Sequence, residues 1–174
     1  MCKSSCVVLA IALAIPGGVD GEEGIAARVN GISISMAQFE RYFEEWLVES
    51  GKNVGAIRAP ALYKRFRREA LAELLDEELL GQEAKRAHVV ASRKQVDEAV
   101  ARLNAQFPSR DAYLRRLRRA GFTEATYAEH LKQQLSVRLW IEREFGSGGD
   151  AAARLRERVR ALRAAASIEV FAAF

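Results

Sequence analysis

The sequence predicts a mainly α chain in which six helices are closed by a small antiparallel sheet. Three observations carry this reading. From Met36 onward, apolar residues recur at the three- and four-residue spacing of a helix face. Asn30-Gly31 separates two short runs, Ala26–Val29 and Ile32–Ser35, that read as strands about a tight turn, because both turn residues tolerate positive φ. Ser167–Phe171 alternates polar and apolar residues, and a lone strand there has one natural use, which is to pair with the N-terminal hairpin.

Each element has its own signals. Ser35 is a helix cap, and Met36, Phe39, Phe43, Trp46 and Leu47 follow on one face until Gly51–Gly55 ends the helix. Pro60 suits the first turn of the longest helix, whose stripe of Leu62, Phe66, Leu71, Leu74, Leu75 and Leu79 continues to about Ala87. Gly81 interrupts that helix at a cost of ~1 kcal/mol relative to Ala and is expected to mark close packing or a bend. Ser92 with Gln95 forms a capping box before Val96, Ala99, Val100 and Leu103. Phe107-Pro108-Ser109 is a break, and Ser109 caps a short helix carrying Tyr113, Leu114 and Leu117 that Gly121 ends. Thr123 opens a fifth helix with Tyr127, Leu131, Leu135, Leu139 and Trp140. Gly146–Gly149 is a flexible break, after which Asp150 is expected to cap a sixth helix to about Ala166.

At 174 residues, with 49% hydrophobic and 29% charged, the chain suits one domain with a real core. It holds no apolar run of 18 residues, so no stable membrane span is expected. Residues 1–21 read as a secretory signal: Lys3 is the positive end, Cys6–Ile15 the short apolar stretch, and Pro16 breaks it. Cleavage after Gly21 is favoured over Ala14, which leaves residues 22–174 as the working domain; a buried N-terminal tail is the alternative. Cys2 and Cys6 both fall in the removed segment, so no disulfide, thiol nucleophile or thiolate metal site is expected. The net charge is +4, with arginine clusters at Arg115–Arg119 and from Arg154 to Arg163. Glu and Asp are mixed in along most of the chain, so these clusters read as solvated helix faces, and a nucleic-acid partner is not expected.

No catalytic constellation emerges. His88 and His130 lack a His or Cys at metal-ligand spacing, and His130 reads as a surface or packing residue. Asp76-Glu77-Glu78 reads as a solvated face, because consecutive helix residues point in different directions. There is no nucleophile elbow, phosphate loop or dinucleotide fingerprint, so no cofactor and no metal are expected. The aromatic content of the helices stands out instead. Phe39, Phe43, Trp46, Phe66, Tyr113, Tyr127 and Trp140 are the candidates to line a groove for extended apolar peptide, although most of the helix aromatics read as core.

Several strings, in order, resemble the N-terminal domain of the SurA, PpiD and PrsA group of extracytoplasmic chaperones and parvulin-type peptidyl-prolyl isomerases. Ile25–Ser35 is similar to that group's first hairpin, and Leu71–Ala84 to its long helix with the pattern L-x-x-L-I-D-x-x-L-L-x-x-x-A. Ala87–Ser92 with Gln95-Val96-Asp97 and Gly121–Tyr127 continue the match, which covers about Ile25–Phe145; the closing Ile168–Phe171 strand also fits. Where most relatives continue into a parvulin domain, this chain has Gly146–Gly149 and then its last helix. The resemblance therefore implies an exported, periplasmic, ATP-independent chaperone for unfolded or nascent envelope polypeptides, without isomerase activity. The rival reading is a non-catalytic assembly partner. The long helix is expected to leave part of its apolar face in an open cleft with Trp46 and Trp140, unless the sixth helix or a second copy, in a homodimer, fills it.

Overall fold

The computed structural model describes residues 24–52 and 59–174. The signal expected over residues 1–21, with both cysteines, lies outside the described residues, as does most of the Gly51–Gly55 stretch. The described elements are β1 (Ile25–Val29), β2 (Ile32–Ser35), α1 (Met36–Glu49), α2 (Pro60–Arg86), α3 (Arg93–Asn104), α4 (Arg110–Arg119), α5 (Glu124–Phe145), α6 (Ala151–Ala165) and β3 (Ile168–Val170). The expected class, mainly α with a small antiparallel sheet, is the one observed.

The sheet has the order β2-β1-β3, so the C-terminal strand pairs with β1 and brings the two ends of the domain together. Asn30 (φ 51°) and Gly31 (φ 83°) make the hairpin turn in the left-handed region, which that pair of residues tolerates. The ladder of β1 with β2 shifts between Ile25 and Ala27, and this bulge lets the consecutive residues Ala26 and Ala27 both be buried. The Ala26 carbonyl then accepts from the amides of both Phe171 and Ala172.

The helix ends follow local chemistry. Ser35, Ser92 and Thr123 each form a capping box, and Ser109 accepts from the Ala112 amide. Asp150 departs from expectation: its backbone is in the helical region and its side chain caps nothing, lying instead 3.7 Å from Arg154. Helix α2 ends in a Schellman arrangement, with the amides of His88 and Val89 donating to the carbonyls of Lys85 and Ala84. His88 takes the left-handed position of that motif (φ 54°), which makes it a helix-stop residue.

Helix α2, at ~40 Å, spans two cores. Its first half packs with the sheet and α1 around Phe39, Phe43, Trp46, Phe66, Leu71 and Leu74. Its second half offers Leu80 and Ala84 to Val137 and Trp140 of α5. The cleft expected to expose α2 beside Trp46 and Trp140 is therefore not formed: the two tryptophans belong to different clusters, 6% and 4% exposed. The alternative, occupation by the sixth helix, is what the chain does. Leu162 packs against both clusters, and Leu155 and Val159 against the second. The arginine run of α6 is accordingly more than a solvated face. Arg163 pairs with Asp76 and donates to the Ala72 carbonyl, and Arg158 pairs with the buried Glu83. Gly81, expected at a close approach, has nothing within 4 Å of where a Cβ would stand.

Candidate functional site

An open cleft with aromatic lining lies between α1 and the α4–α5 hairpin. The amphipathic phase of α1 sends Phe39, Phe43, Trp46 and Leu47 into the core, which leaves Arg41, Glu44, Glu45, Val48 and Glu49 on its other flank. The opposite wall is set by the α4–α5 turn. Leu117 and Tyr113 anchor α4, Gly121 (φ 77°) reverses the chain, and Thr123 starts α5. Side chains on Gly121 would be strained by this φ, and Arg41 passes only 3.5 Å from where a Cβ would stand. The turn places Phe122 against Tyr127 (5.4 Å between ring centroids, edge-on) and against His130 (5.2 Å).

The resulting cleft encloses about 390 Å³. Phe122, Tyr127 and His130 form an aromatic patch, and Val48, 79% exposed, is an apolar contact on the other wall. Arg41 crosses between the walls with its guanidinium 5.4 Å from the Phe122 ring. The charges are sorted: Glu44, Glu45 and Glu49 stand on α1, Arg116 and Arg119 on α4. Burial raises the Glu45 carboxyl above the usual range, Arg116 and Arg41 oppose this, and Glu49 and Glu44 reinforce it. Burial likewise pushes the Tyr127 hydroxyl up to about 12.

Two smaller recesses flank the second core. One of about 170 Å³ lies between α2 and α5, lined by Gly81, Ala84, Val89, Val90 and Val137 with Glu78, Lys85 and Lys132 around it. The Ser136 hydroxyl closes its end by accepting from the Ala91 amide at 2.9 Å. The other, of about 370 Å³, lies beneath Trp140 and Phe145 and is bounded by Glu83, Glu144 and Arg158.

The seven aromatic candidates are distributed unevenly. Phe39, Phe43, Trp46 and Phe66 form one buried aromatic cluster, with neighbouring centroids 5.9–6.3 Å apart. Its edges are sealed by cations: Lys52 Nζ sits 3.6 Å from the Trp46 ring, and Arg67 lies over Phe39 and Phe43 while bonding Glu40. Tyr113 is 1% exposed and packs against the tilted Phe107 ring, 5.7 Å between centroids. Trp140 is buried but borders the recess beside Phe145. Tyr127 alone of the seven lines the α1/α4–α5 cleft. Sequence reasoning missed Phe122, Val48 and the charged walls. Phe122 sits in a turn, outside every helical stripe, so periodicity carried no signal for it.

The acidic trio of α2 also resolves differently from its expected solvated face. Asp76 pairs with Arg163, while Glu77 is 7% exposed and accepts a hydrogen bond from the Tyr42 hydroxyl at 3.1 Å. The second carboxyl oxygen of Glu77 is buried without a partner. Burial, with Glu49, Glu73 and Glu45 nearby, pushes the Glu77 carboxyl up to about 9 against the opposing Tyr42 hydrogen bond. His130 is a packing residue, 8% exposed among Phe122 and Tyr127. Among the described residues no cluster of His, Cys, Asp and Glu could hold a metal, and no helix is long and apolar enough to cross a membrane.

A family model described as the SurA-like N-terminal domain matches residues 3–140, from before the hairpin to the end of the Trp140 contact on α5. No curated protein matches the chain.

Proposed function

The chain belongs to the family of SurA-like N-terminal domains, and from that premise we propose that it is an exported, periplasmic chaperone that holds unfolded or nascent envelope polypeptides without ATP. The observation that carries this reading is the α1/α4–α5 cleft. Its aromatic patch of Phe122 and Tyr127 faces the exposed Val48 across a gap of about 390 Å³, open to an extended segment. Apolar side chains of such a segment gain about 25 cal/mol per Å² buried there, and the sorted charges at the rim keep the cleft wet and the grip reversible. Each contact is small, so affinity is micromolar and clients are diverse.

Light scattering of a denatured porin diluted into buffer tests the proposal. An excess of the chain slows aggregation without nucleotide, and an unchanged rate rejects the chaperone reading. Val48→Lys with Phe122→Ala places the activity, with a melting curve to show that the double variant still folds, since Val48 is 79% exposed but Phe122 packs on Tyr127 and His130. Suppression by the double variant equal to the parent's would move the binding site elsewhere.

A further inference from the structure

We propose that α4 is a docking surface for an anionic phospholipid bilayer. The first observation is where the charge resides. Helix α4 carries five arginines and one aspartate, so its net charge of +4 equals that of the whole chain, and everything else balances. A molecule built this way has a strong charge asymmetry and is steered with α4 toward any anionic surface.

The second observation is that most of these arginines make no bond inside the fold. Arg110 pairs with Glu124, but Arg115, Arg116, Arg118 and Arg119 are exposed, and among the described residues none of their four side chains forms an ion pair or hydrogen bond, although Arg116 acts through space on Glu45. The contrast with α6 is direct, since Arg154, Arg158 and Arg163 there all bond to neighbouring elements. A basic last turn does complement the helix dipole, but that benefit falls off within one turn and does not call for a fourth arginine at Arg115.

Shape selects the partner. Tyr113 and Leu117 occupy the buried side of α4, and the three- and four-residue spacing of Arg115, Arg118 and Arg119 sets them together on the side away from it. Arg115 and Arg118 stand on the outer side of the helix, away from the cleft that Arg116 and Arg119 border. An acidic polypeptide would have to be ordered against that outer face, whereas a bilayer offers a layer of phosphates that Arg115, Arg118 and Arg119 meet at once. Arginine suits this because its planar fork pairs two N–H groups with one phosphate. Tyr113 and Leu117 are buried, so contact rests mainly on charge and is peripheral. Arg116 and Arg119 also border the α1/α4–α5 cleft, so docking would hold the cleft mouth beside the membrane. This inference stands whether or not the cleft binds clients.

Co-sedimentation of the full chain with vesicles of equal parts phosphatidylglycerol and phosphatidylcholine, compared with phosphatidylcholine alone, tests it. The apolar residues 6–15 are present in both arms, so the difference between vesicles reads the charge contribution. Each arginine near an anionic surface is worth roughly a fivefold change in partition. R115Q/R116Q/R118Q/R119Q should therefore lose on the order of 100-fold or more of the phosphatidylglycerol preference, while the four lysine replacements keep most of it. R115Q/R118Q, which changes only two exposed residues, covers the case in which four changes unfold the chain, and should lose roughly 25-fold. Equal binding to both vesicles, or a glutamine variant that binds as the parent does, overturns the proposal. So does tighter binding of polyglutamate or a single-stranded oligonucleotide than of the vesicles through the same arginines, since the partner class is then wrong.

Discussion

At the residue scale, Glu77 is the most consequential departure from surface-like behaviour. Burial pushes its carboxyl up to about 9, above the 4.5 of an ordinary glutamate. A carboxyl raised in this way favours the folded chain fully only while protonated, below the ordinary value, and that contribution is lost as pH rises through about 9. Glu45, Glu49 and Glu78 are raised in the same direction and add to the trend. Glu77→Gln keeps the shape and an acceptor for the Tyr42 hydroxyl but cannot ionise. Its melting temperature should exceed the parent's at alkaline pH and converge with it in acid. Parallel melting curves across that range would show that Glu77 is not the group responsible. Tyr113 offers a second test, since its hydroxyl is buried without a partner. Tyr113→Phe removes an unsatisfied polar atom from a tight site and should raise stability by about 1 kcal/mol in urea unfolding; a loss of that size would mean the hydroxyl is bonded in solution. The position of Glu77 was legible in principle: it falls three residues after Leu74 and seven after Ala70, on the buried stripe. Its charge masked that phase, because a carboxylate is almost never buried unless paired.

At the element scale, β3 and the residues after it close the first core. Ser167 exchanges hydrogen bonds with Asn30, the Phe174 ring lies 5.3 Å from that of Phe39, and Arg67 stacks on Phe174 while Arg68 donates to its carbonyl. Deleting residues 167–174 strips β1 of one partner and opens the Phe39 side of the cluster. A loss of roughly 3 kcal/mol or more is expected from the aromatic alone, and thermal melts that match the parent would reject this role for β3. Caps behaved as local rules require wherever the preceding backbone was extended, at Ser35, Ser92, Ser109 and Thr123. Asp150 failed because the Gly146–Gly149 turn delivers it in a helical conformation, from which its carboxylate cannot reach the free amides.

At the scale of the whole molecule, the match to a SurA-like N-terminal domain ends at residue 140, and the Gly146–Gly149 turn leads directly into α6. Helix α6 is then held to α2 by Arg158 and Arg163. On the chaperone function proposed above, the chain should not accelerate prolyl isomerisation in a protease-coupled proline-peptide assay; a clear rate above background would refute this. Much of the architecture was determined by the sequence alone. Asn30-Gly31, the four working caps and the period of the apolar stripes are local signals, read within a few residues of where they act. They settled the helices and the hairpin, while the pairing of β3 with β1 followed from a lone alternating segment needing a partner. The site was decided by the tertiary structure. Whether an aromatic is core or cleft depends on which helix covers it, and that depends on contacts such as Arg163 with Asp76, 87 residues apart in the chain. The same long-range packing buried six of the seven aromatic candidates, put Glu77 in the core and left Phe122, Tyr127 and the α4 arginines facing outward. Periodicity states that a face is apolar; only the assembled neighbours determine what meets it.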